Sequence, residues 1–302
     1  MLQIYYSDHF VLPLPQGHRF PMQKYQMLRN EVVTLNDVHL EEAPLASIDD
    51  LLLVHDRSYI ERVIHGQLNA SEQREIGFPW SEQMVIRSRR SAGATIAACM
   101  AARIHGVAVN LAGGTHHAYA DKGSGFCVFN DAAIAAKKIQ QEFSLQRNHI
   151  SPVLIIDLDV HQGNGTAAIL QDDKSVFTFS MHGEKNFPFR KESSDLDIGL
   201  ADGCEDAEYL AALERGLQMI ANQIQPKLVI YLAGADPYHG DRLGRLNLSQ
   251  DGLGLRDETV LQWCFTRKIP VAIAMAGGYG NPIEETVAIH AQTIRKAIAY
   301  QW

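Results

Sequence analysis

The chain has 302 residues, of which 46% are hydrophobic and 21% are charged, and its formal net charge at pH 7 is -8. This composition is typical of a globular protein with a large apolar core and excludes a low-complexity chain. The acidic balance argues against direct nucleic-acid binding, which depends on clustered Lys and Arg residues.

Targeting and covalent signals are sparse. The first residues, MLQIYYSDHF, contain no basic region followed by an apolar run, and no apolar run reaches membrane-spanning length. The four cysteines lie far apart and form no Cys-x-x-Cys pair, so we expect reduced thiols and no disulfide framework. We therefore expect a soluble cytoplasmic protein without membrane partners.

Short apolar runs alternate with helical patterns along the chain. In chain order they predict a helix over 85–105, a strand over 107–110, a helix over 131–143, strands over 153–157 and 176–180, a helix over 206–225, a strand over 228–233, a helix over 256–267, a strand over 271–276 and a helix over 283–299. The longest irregular stretch between these elements is 181–206, and a loop of that length is usually functional.

The predicted strands are rich in Val, Ile and Phe and do not alternate with polar residues. This pattern is typical of strands that are buried on both faces of a parallel sheet, and the intervening helices favour right-handed crossovers. No linker or internal repeat is visible. We therefore predict a single α/β domain over residues 1–302, with an open parallel sheet flanked by helices.

A polar or glycine-rich segment follows each predicted strand. These segments contain GGTHHAYADKGSGF, LDVHQGNG, MHGEKNFPF, GADPYHGDRLG and GGYG. In open parallel sheets, ligands bind beyond the carboxyl ends of the strands, so we expect the five segments to converge on one rim.

Three side chains in these segments are suited to hold one divalent metal. Asp159 and His161 follow one predicted strand, and Asp236 follows another. Three N and O ligands with one open position form the usual site of catalytic zinc, and the same donors accept ferrous iron. The alternative is that Asp157, Asp159 and His161 only cap a strand and begin a turn.

Two further motifs carry groups for proton transfer and oxyanion binding. His116 and His117 lie beside two glycines, and histidine transfers protons near neutral pH. Tyr279 lies on a glycine turn, from which its phenol could donate to a developing oxyanion. Taken alone, Tyr279 would be an ordinary loop tyrosine.

Together these motifs resemble the histone deacetylase superfamily over nearly the full chain. The matching segments are GGTHHAYADKGSGFCVFND, IDLDVHQGNG, FSMH, GAD and GGYG. Similarity to the class IV branch and its bacterial relatives is carried by DDLLLVHDRSYIERV, HQGNG, GDRLGRLNLS and LRDE. The resemblance implies the arginase/deacetylase fold and a metal-dependent hydrolase of linear amide C–N bonds.

The resemblance also implies roles for the catalytic residues. Zinc, or ferrous iron, would be bound by the three residues named above. His117 would be the general base and then the acid, with His116 as its electrostatic partner. Tyr279 would polarise the acyl carbonyl, while Asp157 and Asn164 would orient the two histidines.

A substrate channel and a structural potassium ion are implied as well. Gly125 would accept a hydrogen bond from the substrate amide through its carbonyl, Phe126 and Phe187 would flank the acyl-lysine, and Leu243 would lie at the rim. Potassium would be bound by Asp157, Asp159, His161, Ser180 and Met181.

Two positions depart from the family pattern. Asn164 occupies the place where class I enzymes have an aspartate, which leaves His117 with a neutral partner. Lys24 lies near the place where many relatives have an arginine at the foot of the pocket, which weakens an argument for acetate exit there.

The expected substrate is an acylated lysine of a protein or peptide. Polyamine deacetylation is the main alternative, but such enzymes have an acidic rim residue where this chain has Leu243, with Asp241 nearby. A ureohydrolase of the same fold would need two manganese ions, and the segment QGNG after His161 offers no acid for the second. The intact motifs argue against a non-enzymatic acyl-lysine binding module.

Overall fold

A computed structural model describes residues 1–146 and 152–302. Within them, eight strands form one sheet in which every neighbouring pair is parallel. The strands are β1 (Leu2–Tyr6), β2 (Val38–Glu42), β3 (Val107–Asn110), β4 (Val153–Asp157), β5 (Val176–Gly183), β6 (Leu196–Leu200), β7 (Leu228–Leu232) and β8 (Val271–Ala274). Their order across the sheet is β2-β1-β3-β8-β7-β4-β5-β6.

Helices cover both faces of the sheet. They are α1 (Gln23–Val32), α2 (Ile48–Leu51), α3 (Arg57–Ile64), α4 (Ala70–Ile76), α5 (Glu82–His105), α6 (Asp131–Gln146), α7 (Asn164–Leu170), α8 (Asp206–Gln223), α9 (Gln250–Thr266) and α10 (Ile283–Ile298). Helices α1, α8, α9 and α10 pack on one face, and α5, α6 and α7 pack on the other. No helix of the described residues is both long and apolar enough to cross a bilayer.

Strand β4 shows why the central strands contain continuous apolar runs. Leu154 and Ile156 belong to the core under α8–α10, whereas Val153 and Ile155 belong to the core under α5 and α6. Side chains alternate between the two faces of a strand, so burial of both faces requires apolar residues at every position. The predicted open parallel sheet flanked by helices is confirmed.

A smaller layer of α2, α3 and α4 leads to the mouth of the site. Helix α4 is capped by Asn69, whose side chain accepts from the backbone N–H of Glu72 while the Glu72 carboxylate accepts from the Asn69 N–H. At its other end, the carbonyls of Glu75 and Ile76 accept from the N–H groups of Gly125 and Phe126. The capped helix thus anchors the loop that carries Gly125.

Each of the ten predicted elements is present, but several bounds were wrong. Helix α9 begins at Gln250 rather than at 256, because Ser249 caps it by accepting from Gly252 N. Strand β5 runs on to Gly183, and β6 lies inside the stretch 181–206 that we expected to be irregular. Strands β7 and β8 end before the predicted 233 and 276.

Candidate active site

Two neighbouring strands deliver the three side chains predicted to bind a metal. Asp159 and His161 follow β4, and Asp236 follows β7, which pairs with β4. The ligand atoms of the three buried residues all lie within 4.8 Å of one another. In the described part of the chain this is the one cluster of His, Cys, Asp or Glu with that spacing.

The charges in this triad fit a divalent cation. His161 Nδ1 lies 2.9 Å from Asp159 Oδ1 and 3.3 Å from Asp236 Oδ2. Burial lowers the pKa of His161, but the two carboxylates outweigh burial and raise it to about 10. The Asp236 Oδ2 atom is buried with no hydrogen-bond partner among the described residues, so it is available to a cation. Two carboxylates and an imidazole are donors that suit zinc or ferrous iron.

Backbone amides fix the orientation of both carboxylates. Gly277 N donates to Asp159 Oδ2 at 2.8 Å, and Val160 N donates to Asp236 Oδ1 at 2.9 Å. A Cβ atom at position 277 would overlap the carboxylates of Asp159 and Asp236. The first glycine of GGYG therefore packs directly on the triad, where no larger residue fits.

His116 is paired with a carboxylate. Its Nδ1 atom lies 2.7 Å from Asp157 Oδ2, and both residues are buried. Burial lowers the pKa of His116, but Asp157 and Asp159 outweigh burial and raise it to about 9. The Asp157 carboxylate therefore favours the protonated form of His116.

His117 has a neutral partner instead. Its Nδ1 atom lies 2.6 Å from Asn164 Oδ1. An amide oxygen only accepts hydrogen bonds, so Nδ1 carries the proton and Nε2 presents a lone pair. Burial lowers the pKa of His117 well below its usual value, and the nearby His116 lowers it further. Two adjacent histidines that titrate far apart are the usual sign of divided acid and base roles.

Tyr279 completes the polar end of the cavity. Asp241 Oδ2 accepts from Tyr279 N at 2.6 Å, and Arg242 Nε donates to Tyr279 O at 2.9 Å, so its backbone is held on both sides. Burial raises the pKa of the Tyr279 phenol well above its usual value, and Asp159 and Asp236 raise it further. The hydroxyl therefore stays protonated and can donate a hydrogen bond.

A cavity of about 500 Å³ leads to these groups. Phe126 and Phe187 line it, and the Phe187 ring stands edge-on to His117 at 4.9 Å between centroids. Gly125 has a φ of 52° and lies so close to His117 and Phe187 that a Cβ atom would contact both. Leu243 lines the same cavity. All four residues predicted to form the substrate channel therefore line one passage.

Asp241 is turned away from the rim. Its Oδ1 atom accepts from Leu243 N at 2.7 Å and Gly244 N at 2.9 Å, and its Oδ2 atom accepts from Tyr279 N. Both carboxylate oxygens are therefore used inside the loop. Leu243 lines the cavity, as expected for a rim residue.

Lys24 is buried at the inner part of the same cavity. Its Nζ atom lies 3.2 Å from Ala276 O and 3.4 Å from Gly278 O, and 5.5 Å from the centre of the Tyr279 ring. The lysine thus packs against the GGYG turn, as a position at the foot of the pocket requires.

Three of the predicted potassium ligands lie side by side on the paired strands β4 and β5. Asp157 pairs with Ser180 across β4 and β5, and Met181 follows Ser180 in β5. Ser180 Oγ lies 2.9 Å from His182 Nδ1. Binding of potassium there stays a prediction.

Comparisons with known proteins agree with this geometry. The model of the histone deacetylase domain family matches residues 18–294. An uncharacterized protein of Picosynechococcus sp. is 44% identical over 297 residues, with 97% of each chain covered. Histone deacetylase 2 of Arabidopsis thaliana is 34% identical over 302 residues, covering 94% of this chain and 76% of that protein.

The chain belongs to the histone deacetylase family. The resemblance drawn from the motifs is therefore confirmed, and membership makes the chain a hydrolase of the deacetylase type. The crystal structure of an HDAC homolog from Aquifex aeolicus supports the fold, with a TM-score of 0.81 at 22% identity, covering 98% of this chain and 84% of that chain.

In this family member, two residues that the sequence did not indicate orient Asn164. The Asn164 Nδ2 atom donates to the Tyr119 hydroxyl at 2.8 Å, and that hydroxyl donates to Glu192 Oε1 at 3.2 Å. A carboxylate can only accept, so the phenol must accept from Asn164, and the amide oxygen must face His117. The Glu192 carboxylate thus helps to set the tautomer of His117, although Glu192 lies 73 residues after Tyr119 in the sequence.

A buried arginine was missed as well, although LRDE was among the family-like segments. Arg256 is fully buried and is paired with Asp257 at 2.8 Å. Its Nη1 atom donates to Gly234 O at 2.5 Å and to Leu158 O at 3.4 Å. One guanidinium therefore ties together the two loops that carry Asp236 and Asp159. Breaking a buried pair of this kind usually costs ~3–5 kcal/mol.

Proposed function

We propose that the chain removes acetyl or longer acyl groups from lysine side chains of proteins or peptides, with zinc or ferrous iron bound by Asp159, His161 and Asp236. The observation that carries the proposal is the pair of histidines, one bonded to the Asp157 carboxylate and one to the Asn164 amide, beside this triad at the end of an aromatic-walled cavity. Action in the cytoplasm and the absence of nucleic-acid partners stay predictions.

The residues divide the chemistry among them. A divalent ion bound by the triad would polarise the acyl carbonyl and a water molecule and so make the water acidic. His117 accepts the water proton at Nε2, the nitrogen that Asn164 leaves unprotonated. The Tyr279 hydroxyl donates a hydrogen bond to the oxyanion that forms and keeps its proton. His117 then protonates the leaving amine, so a carboxylate and a free lysine amine result.

His116 and the channel walls support these steps. Asp157 favours the imidazolium form of His116, which would stabilise negative charge as it develops nearby. Phe126 and Phe187 give the methylene stem of a lysine an apolar environment, while the Gly125 carbonyl accepts from the substrate amide. Such a channel fits a long, slender side chain that carries one amide near its end.

Mass spectrometry of acetyl-lysine peptides incubated with the purified protein tests this proposal. We expect deacetylated peptide to accumulate, and we expect a chelator to stop the reaction and added zinc or ferrous iron to restore it. Deacetylation that continues at full rate after the metal has been removed would contradict the metal assignment. No turnover of any acyl-lysine peptide by metal-loaded protein would contradict the substrate assignment.

Removal of the Tyr279 hydroxyl should mainly lower kcat. The hydrogen bond to an oxyanion strengthens in the transition state, and loss of one such donor usually costs ~10²–10³-fold. We expect Tyr279→Phe to show that loss with KM changed little, measured by steady-state kinetics on an acetyl-lysine peptide. An unchanged kcat would mean that Tyr279 does not contact the reacting carbonyl.

Asn164→Asp should move the acid limb of the pH profile to higher pH. A carboxylate that accepts from His117 Nδ1 stabilises the imidazolium and raises its pKa, typically by ~1 unit or more. The base must be neutral to accept a proton. If its pKa is raised, His117 becomes protonated, and activity is lost, at a higher pH as the solution is acidified. Measurement of kcat/KM against pH checks this. A profile that stays in place or moves to lower pH would contradict the role given to His117.

Leu243→Glu should shift preference toward acetylated polyamines. Leu243 lines the cavity and offers no charge to a second ammonium group, and Asp241 is occupied by three backbone amides. A glutamate at the rim would supply the missing anion. We expect the ratio of kcat/KM for acetylspermidine to that for an acetyl-lysine peptide to rise, with metal content unchanged. If this ratio does not rise, Leu243 does not lie where a substrate's second ammonium group would bind.

A further inference from the structure

The mouth of the cavity is basic, although the whole chain has a net charge of -8. Four exposed basic side chains line the same cavity as His117 and Tyr279. They are Arg19, Arg74, Lys185 and Arg245. They come from four separate segments, so the sequence shows no basic cluster.

Two of these residues lie on the Phe126 side of the channel. Arg74 is in the last turn of α4, next to Glu75, and the Glu75 carbonyl accepts from Gly125 N at 3.0 Å. Arg19 follows His18, whose Nε2 atom lies 2.8 Å from the carbonyl of Gly77 just beyond α4. The same loop contacts therefore bring Arg19 and Arg74 to one wall.

The other two lie on the Phe187 side. Lys185 precedes Asn186, whose Nδ2 atom donates to Leu243 O at 2.8 Å. Arg245 is two residues beyond Leu243. The Asn186 hydrogen bond joins the two loops that carry Lys185 and Arg245. These two residues therefore form a second wall, built from different segments than the wall with Arg19 and Arg74.

Acidic groups neutralise only part of this rim. Glu75 is the one exposed acid that lines the described cavity, and Lys122 pairs with it at 2.8 Å. Asp202 pairs with Arg245 at 3.3 Å from outside the cavity. Within the described residues, Arg19, Arg74 and Lys185 have no carboxylate within 4.0 Å.

We propose that this basic rim selects acyl-lysine substrates with acidic residues on both sides of the acylated lysine, and disfavours lysine-rich peptides and polyamines. This specificity rests on the function proposed above. Like charges that line a cleft raise the local concentration of substrates of opposite charge and repel those of the same charge. The rim thereby adds discrimination beyond what the apolar channel can supply.

The test compares acetyl-lysine peptides that differ only in flanking charge. Two glutamates or two lysines are placed on each side of the acetyl-lysine in otherwise identical peptides. At low ionic strength we expect kcat/KM to be about tenfold higher or more for the acidic peptide. The ratio should fall as salt is added, because screening shortens the Debye length from about 10 Å at 0.1 M to about 3 Å at 1 M.

Charge reversal at the rim gives the decisive variant. Arg19→Glu with Lys185→Glu changes one exposed, unpaired residue on each wall and should abolish or invert the preference. Arg215→Glu with Lys227→Glu makes the same change in charge at exposed positions outside the cavity, and should keep the preference. Equal rates for the two peptides, or a faster basic peptide, would overturn the proposal, as would equal effects of the two double variants.

Binding separates this inference from the proposed function. If no peptide is hydrolysed, the proposed function fails, but fluorescence anisotropy still reports the affinity of each labelled peptide for the metal-loaded protein. Tighter binding of the acidic peptide, lost in the rim variant alone, would support the basic rim as a docking surface. Equal affinities would contradict it.

Discussion

His161→Ala is expected to lose the bound metal and with it nearly all activity. The Nδ1 atom of His161 is the point on which the carboxylates of Asp159 and Asp236 converge. Without it, two carboxylates alone must hold the ion, and transition-metal sites depend strongly on the number of ligands. Metal analysis of the purified protein by elemental mass spectrometry should show about one divalent ion per wild-type chain and far less in the variant.

A matched control separates ligand loss from any effect of a missing histidine. His65 is exposed and lies at the end of α3, outside the cavity. His65→Ala should keep both metal and turnover. If His161→Ala also keeps stoichiometric metal and full activity, the triad is not the metal site.

His117→Ala is expected to lower turnover by roughly 10²–10⁴-fold, the range typical of a positioned proton-transfer group. Its neutral imidazole, with Nε2 unprotonated, is the one base of the histidine pair, because the pKa of His116 is raised to about 9 beside Asp157. Metal content should stay near one ion per chain, since His117 is not in the triad. Single-turnover kinetics with metal-loaded protein measures the loss.

The comparison with His116→Ala makes that result specific. Near-normal turnover in His117→Ala with a large loss in His116→Ala would move the base to His116. The reverse order is expected from the present geometry, since the partner of His116 is a carboxylate, which favours the protonated ring, whereas the partner of His117 is a neutral amide.

The sequence predicted the centre of this molecule better than its edges. Strands β3 and β4 have the predicted bounds because both faces are buried and each is a continuous apolar run up to its last residue, Asn110 or Asp157. Convergence of Asp159, His161 and Asp236 followed from one rule, that the carboxyl ends of neighbouring parallel strands share an edge. The rule needed no knowledge of side-chain contacts.

The edge strands β2 and β6 escaped prediction for a physical reason. Residues 38–42 and 196–200 alternate partly buried apolar residues with exposed ones such as His39 and Asp197, so neither forms a continuous apolar run. Their strand conformation depends on pairing with β1 and β5, which the local sequence does not encode. The start of α9 was hidden similarly, since Gly252 and Gly254 lower helix propensity.

Parts of the site that depend on distant contacts could not be found from motifs. Tyr119 and Glu192 orient Asn164 through two hydrogen bonds between segments that share no local pattern. Arg256 reaches the carbonyls of Leu158 and Gly234 from a helix far along the chain. The basic rim likewise exists only after folding has brought four segments together.

The most direct test of the proposed function is a comparison of kcat/KM for acyl-lysine peptides and for acetylated polyamines, at matched concentrations with metal-loaded wild-type protein. Leu243 is apolar, and the Asp241 carboxylate is bonded to backbone amides, so neither residue offers an anion to a polyamine. We therefore expect the best peptide to be the better substrate. A wild-type enzyme that hydrolyses acetylspermidine faster than every acyl-lysine peptide tried would contradict this account.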